Sequence, residues 1–297
     1  MSPRSILSKL RDPAYLKQRA EYYLLGGYYG YRSDEGVDVM TEDWDTLFLL
    51  DACRYDTMRE VRPEKWPPVK PATSKAGNTY DFYRANFDDG PYLDTVVVSA
   101  NPRPDQLRLN SFHRIINLWD DRWNDELGTV MPDVVAEETV KAHEQYPDKR
   151  IISHWIQPHY PFIGADGELA DYPADEESIW HDLHRGTVDP ESAYDAYRKT
   201  LVETLPHLEE VLEHVSGKVV VSSDHGNAFG ERPWWYPFPV YGHPRNVRMP
   251  ETVTVPWVEF NNGERRDIRS ADRVVDGDTA ADEDVVESRL EDLGYVT

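Results

Sequence analysis

Cysteine is nearly absent: Cys53 stands alone in 297 residues, which excludes an intramolecular disulfide and fits a reducing compartment. No run approaches the 18 or more consecutive apolar residues of a spanning helix, and the N-terminus lacks the apolar core of a secretory signal. These two absences lead us to expect a soluble, cytoplasmic protein. Basic residues are scarce as well, 32 Lys and Arg against 55 Asp and Glu. The resulting net charge of −23 leaves no overall basic face for phosphate backbones and argues against nucleic acid as a partner. Internal repeats and low-complexity linkers are also missing. What is abundant is aromatic surface: 9 Trp and 18 Tyr are more than a disordered chain would leave in water, and the length suffices for one large α/β domain.

The acidity resembles that of proteins from salt-loving organisms, in which surface charge keeps the molecule hydrated, and on that reading it says little about substrate. The first forty residues run against the trend. Arg4, Lys9, Arg11, Lys17 and Arg19 are interleaved with Ile6, Leu7, Leu10, Tyr15 and Leu16, a basic amphipathic pattern. Two readings are open for it: a helix pair packed across the domain, or peripheral contact with an anionic membrane surface at the inner membrane face. We therefore divide the chain into a helical segment, 1–40, and a single α/β domain, 41–297.

Five short runs, mostly β-branched and bounded by polar or turn residues, read as strands: TLFLLDA (46–52), DTVVVSA (94–100), RIISHWI (150–156), GKVVVSS (217–223) and VTVPWVEF (253–260). Between them, 104–118, 132–146 and 189–215 read as helices, the last kinked or broken at Pro206. Alternation of this kind predicts a mostly parallel central sheet with helices on both faces. In such a sheet ligands collect at the carboxyl ends of the strands. There the sequence places Asp51 and Arg54 after the first strand, His154 and His159 after the third, and Asp224 with His225 after the fourth. His243 and Arg245 follow in YGHPRN. An acid beside an imidazole at a strand end is a common way to hold a divalent cation, although a surface Asp-His-Gly turn reads the same. His143, His207 and His214 read as solvated residues on helix faces.

Taken in order, DTLFLLDACRYD, SKAGNTYDFYRANF, HWIQPHYPF, SSDHGNAFGE and YGHP followed by PETVTVPWVEF resemble the alkaline phosphatase superfamily, on its sulfatase-like and phosphoethanolamine-transferase-like side, as found in a halophilic archaeon. The resemblance spans residues 44 to 297 and implies an alkaline phosphatase-like core. It implies that Asp51, Thr79, Asp224 and His225 ligate one or two divalent ions (Zn, Mn, Ca or Mg), with Thr79 as the metal-activated nucleophile. It gives His154, His159 and His243 the roles of binding the substrate's oxyanion, protonating the leaving oxygen or holding a second ion, with His159 and His243 taken as catalytic and His154 as substrate-binding. Arg54, Lys75 and Arg245 lie close enough in sequence to add positive charge around the transferred group, surface salt bridges being the alternative for Arg54 and Arg245. Ser74 and Thr73 precede Thr79 closely enough to compete for the nucleophile turn. The formylglycine motif of true sulfatases is missing, and Cys53 reads as a small buried hydrophobe. The implied activity is hydrolysis or group transfer at a phosphate or sulfate ester, on a small anionic or glycan-linked substrate. The alternative is a catalytically silent protein that binds an anionic glycan or nucleotide.

Overall fold

The computed structural model describes residues 13–29, 35–107, 111–169, 172, 179–272 and 283–294. The basic positions Arg4, Lys9 and Arg11, with Ile6, Leu7 and Leu10, lie outside them. Seven strands form the central sheet: β1 (Thr46–Leu50), β2 (Lys70–Thr73), β3 (Tyr92–Ser99), β4 (Phe112–Asn117), β5 (Arg150–Trp155), β6 (Gly217–Ser222) and, after the two-stranded ribbon β7 (Ala228–Phe229) and β8 (Tyr241–Gly242), β9 (Thr254–Asn262). Their order is β2-β9-β6-β1-β5-β3-β4. The five strands from β6 to β4 are parallel, while β9 and β2 join antiparallel.

The central strands are buried at nearly every position because both sheet faces are covered, and the two-residue period sorts their apolar side chains between two cores. Phe48, Leu50, Val96, Val98, Ile151, Val219 and Val221 face one side. There they meet the helices α3 (Pro132–Gln145) and α5 (Pro190–His214), and also α6 (Glu283–Asp292). Leu47, Leu49, Val97, Ile152 and Val220 face the other, under Trp44 and the helix α2 (Thr79–Phe87), whose Phe82, Tyr83 and Phe87 fill that core. Packing α2 on this face brings its first residue to the carboxyl end of the sheet.

Three expectations need correction. The span 104–118 is not a helix: a single short turn at Arg103–Gln106 gives way to β4, whose FHRIIN pairs with β3 from Arg114 to Asn117. As the last strand of the sheet, β4 is only partly buried, so its mixed polar and apolar residues mimic an amphipathic helix. Pro206 does not end α5, which runs 25 residues through it. The proline is exposed, so the amide hydrogen bond it lacks is lost where water solvates the backbone carbonyl. His143 is not solvated: it is half-buried and accepts a hydrogen bond from the Ser216 amide at 3.3 Å.

The N-terminal stretch Pro13–Tyr29 is helical: α1 (Pro13–Ala20) runs into a π-turn at Glu21–Leu25, and both reach His184 of α4 (Ile179–Arg185), through Lys17 and Glu21. Val39 and Met40 already belong to the core beneath α2.

Candidate active site

At the carboxyl ends of β1, β5 and β6 the chain buries charge. Asp51 follows β1 directly, and the next residue, Ala52, has φ of 59°, an unusual conformation for a residue with a side chain. The Tyr197 hydroxyl holds this turn from α5, donating to the Ala52 carbonyl and accepting from the Arg54 amide, both at 2.8 Å. Asp224 Oδ1 accepts the amides of Ala52 at 3.1 Å and His225 at 2.8 Å. Gly226 then lets the chain pass the Glu251 carbonyl, where an added Cβ would come within 2.2 Å of the oxygen. Any larger residue would displace the His225 loop.

Asp51, Asp224 and His225 are fully buried, with ligand atoms that lie within 4.8 Å of one another. His225 Nε2 stands 3.4 Å from Asp51 Oδ1 and 3.4 Å from Asp224 Oδ2. Thr79, the first residue of α2, places Oγ1 3.1 Å from the same nitrogen. Ligands held about 2.0–2.2 Å from one ion at tetrahedral angles sit roughly 3.3–3.6 Å apart, so the spacing suits a single divalent cation.

The hydrogen bonds also fit. The Gly226 carbonyl lies 2.7 Å from His225 Nδ1 and can only accept, so the ring donates there and keeps its Nε2 lone pair for the cluster. Asp224 Oδ2 is buried and faces His225 Nε2 and His154 Nε2 at 3.4 and 3.8 Å. Asn101 Nδ2 donates to Asp51 Oδ2 at 2.8 Å and leaves the other carboxylate oxygen toward His225. This donor set, two acids, an imidazole and a hydroxyl, can hold a divalent ion.

Electrostatics point the same way. Burial opposes ionisation of Asp51, yet His159, His225 and His154 hold its carboxyl below the usual range. Asp224, penalised first by burial and then by the Asp51 charge, is pushed up. His225 is raised to about 9 against the effect of burial, because both acids face it. The cluster thus retains a proton to offset buried negative charge, and a bound cation would displace it.

Three more histidines surround the cluster. His154 is level with Leu49 on β1 and Ser99 on β3. Its Nδ1 contacts the Tyr83 hydroxyl at 2.8 Å, and its Nε2 lies 3.9 Å from Asp51 and 3.8 Å from Asp224. His159 faces the Tyr160 carbonyl through Nδ1 at 2.5 Å and packs on His243, ring centroids 4.9 Å apart. His243 in turn lies 4.6 Å from the His225 ring. Burial lowers the pKa of both, and the neighbouring His225 and His159 push His243 further down.

The four strand-end groups inferred from sequence therefore meet in one place. Arg245 stands at its edge, its guanidinium 4.2 Å from the centre of the Tyr80 ring and 3.9 Å from Asp81. The structure does not bring Lys75 into the cluster, since it bonds Asp38 at 2.6 Å. Arg54 is engaged by Asp56 at 2.6 Å and Glu231 at 2.5 Å. Ser74 is tied by its hydroxyl to the Asp224 carbonyl. Cys53 is fully buried, its thiol pKa pushed well up by burial.

Asn101 and Arg103 escaped the sequence reading. Arg103 is buried, with its guanidinium 5.9 Å from the centre of the Tyr80 ring. Both follow β3 in SANPRPD, so the rule that found the other clusters applies equally to this strand end.

No family model and no curated protein sequence matches the chain. Solved structures do. Lipooligosaccharide phosphoethanolamine transferase A of Neisseria meningitidis, an integral membrane protein, is similar at 12% identity over 72% of this chain, with a TM-score of 0.50. The chain spans 47% of that protein's length. A 2-O GAG sulfatase is similar at 12% identity over 86% of this chain and 71% of its own, TM-score 0.48. A protein in the alkaline phosphatase superfamily from Vibrio parahaemolyticus is similar at 10% identity over 88% of this chain and 69% of its own, TM-score 0.35. At such identities the likeness is one of fold.

Proposed function

We propose that this protein is a metal-dependent enzyme that hydrolyses or transfers phosphate or sulfate esters, with Thr79 as nucleophile. The single observation that carries this reading is the position of Thr79 Oγ1, 3.1 Å from His225 Nε2, within a buried Asp-Asp-His set. A divalent ion held by Asp51, Asp224 and His225 would supply the positive charge that a threonine hydroxyl, a very weak acid, needs to react near neutral pH. The neighbouring alternative, Ser74, spends its hydroxyl on a backbone carbonyl.

The chain's own groups account for the rest. Asn78 caps α2 by accepting the Asp81 amide at 2.9 Å, which fixes Thr79 at the positive end of the helix. An anionic ester is stabilised there by the helix dipole. Thr79 Oγ1 attacks phosphorus or sulfur in line, losing its proton to solvent as the bond to the leaving oxygen breaks. His159 or His243, kept neutral by burial, relays a proton from water to that oxygen, and water or an acceptor alcohol then displaces Thr79, whose oxygen takes back the proton that the attacking hydroxyl gives up. Arg245 and Arg103, both beside Tyr80, are suited to bind the part of the substrate that extends from the pocket.

The test is turnover of chromogenic phosphate monoester, phosphate diester and sulfate ester substrates, with metal chelated and then restored as Mn²⁺, Zn²⁺, Mg²⁺ or Ca²⁺. We expect metal-dependent turnover that Thr79→Ala reduces by about a hundredfold or more while metal content is retained. Undiminished activity in Thr79→Ala would remove this residue from the mechanism. Absence of turnover with every ion, in a protein that binds metal, would point to a silent anion-binding protein.

A further inference from the structure

The helical stretch Pro13–Tyr29 is apolar on two opposite sides. Its inner side buries Leu25 and Tyr29 against Ala228, Tyr236, Val240, Val247 and Met249. The one acid on that side, Glu21, is buried against His184 Nε2 at 2.8 Å. The outer side shows water Leu16 (48% exposed), Tyr23 (64%), Leu24 (56%) and Tyr28 (49%). A surface helix normally turns polar residues outward, and one that is apolar all round is normally covered.

The exposed strip does not stop at the helix. Tyr28 touches the half-buried Trp235 with ring centroids 4.9 Å apart, and the buried Tyr236 beneath packs on both Trp235 and Phe238, the latter 41% exposed. Trp234, beside them, is 94% exposed. Two segments distant in sequence thus build one aromatic ridge, larger than scattered surface apolar residues explain.

Charge indicates what covers it. Residues 1–29 hold five Lys and Arg against two acids, in a chain whose net charge is −23. Glu21 is buried against His184, so the side chain that would oppose a basic face is withdrawn from the surface. Arg19 is exposed, its guanidinium 5.7 Å from the Tyr23 ring centre, whereas Lys17 turns inward and donates to the His184 carbonyl at 3.1 Å. Tyr, Trp and Leu beside an exposed Arg is the side-chain chemistry of a bilayer interface, where the rings sit at headgroup level and the cation meets anionic lipid.

We infer that this ridge docks the protein on an anionic membrane surface, with the helix lying in the interfacial plane. The inner side of the helix packs on the 240–249 loop that carries His243 and Arg245, with the Gly26 Cβ position 3.4 Å from Asn246. Docking therefore holds that loop one helix diameter, roughly 10 Å, from the bilayer. This placement stands whether or not the pocket turns over esters.

The test is sedimentation of the full chain with vesicles, zwitterionic or containing anionic lipid, at low and high salt. We expect binding to anionic vesicles that weakens with salt. Arg19→Glu should weaken it about tenfold or more, at roughly 1 kcal/mol per charge near the surface. Leu24→Ser with Tyr28→Ser, both exposed sites, should weaken it at high salt too, and circular dichroism should show each variant folded. Equal binding to zwitterionic and anionic vesicles would overturn the inference. So would a wild-type chain that ignores vesicles but forms dimers that Leu24→Ser dissociates, since the ridge would then be covered by a second copy.

Discussion

The strands β1, β5 and β6 have two ends, and the chain treats charge differently at each. At the amino end Asp45 accepts the Lys218 amide at 2.7 Å and the Arg265 guanidinium, which also reaches Asp43 at 2.7 Å. Lys218 pairs with Glu259 at 3.2 Å, and Arg150 stacks on Trp44, 3.5 Å from the ring centre. Each of these cations has an acid, a carbonyl or an aromatic face beside it. At the carboxyl end the same strands run into Asp51, His154, Asp224 and His225, all buried, where the charges that favour the ionised acids are those of histidines. A fold selected for stability alone would arrange both ends as it does the first, because two buried acids side by side cost free energy. The second end carries a cost that a bound cation offsets.

The sharpest way to break the contrast is Asp224→Asn. The amide oxygen can still accept the Ala52 and His225 amides, so the loop should keep its shape. The lost charge should abolish metal uptake and lower turnover by about a thousandfold. Without metal the variant should melt no lower than the metal-free wild type, because a buried charge has been removed. Metal analysis and thermal melts by circular dichroism would check both. A fall in melting temperature with metal uptake intact would make the cluster a structural network.

A smaller effect is expected one step back from the ligands. Asn101→Ala removes the 2.8 Å donor that orients Asp51 and leaves every proposed ligand in place. Metal affinity should drop about 10–100-fold, the usual cost of losing a partner of a ligating group. Titration with a competing chelator would measure it, and an unchanged affinity would show that Asp51 needs no such support.

How far the site was legible follows from what each residue needs. Asp51, Asp224 and His225 sit at the carboxyl ends of apolar strands and could be found by strand rules alone. Their convergence with Thr79 required the resemblance, since nothing in GNTYDFY says which sheet face its helix covers. That depends on Phe82, Tyr83 and Phe87 fitting between Leu49 and Val97. The strands β2 and β4 stayed hidden for a related reason: both end the sheet, so KPAT and FHRIIN lack the unbroken apolar run of the central strands. Lys75 and Arg54 were assigned to the anion from charge and proximity in sequence. Their partners, Asp38, Asp56 and Glu231, are set by folding and are invisible in a motif.

The smallest effect tests the amino end. His143 accepts the Ser216 amide near Asp45 and Arg266, and burial, then the Arg266 charge, lowers its pKa to about 4. An unfolded histidine titrates near 6.5, so between these values the unfolded chain binds the proton that the folded one refuses. The contribution of neutral His143 is present above pH 6.5 and is lost as pH falls toward 4. Partial exposure discounts the effect to about 1–2 kcal/mol. His143→Gln keeps an oxygen that can accept the Ser216 amide and has nothing to protonate. Its stability should exceed that of the wild type increasingly below pH 6, measured by denaturant melts, while metal content stays the same. If the two proteins lose stability in parallel with acid, the acid sensitivity arises at the carboxyl end, among the buried histidines, and the amino end is indifferent to pH.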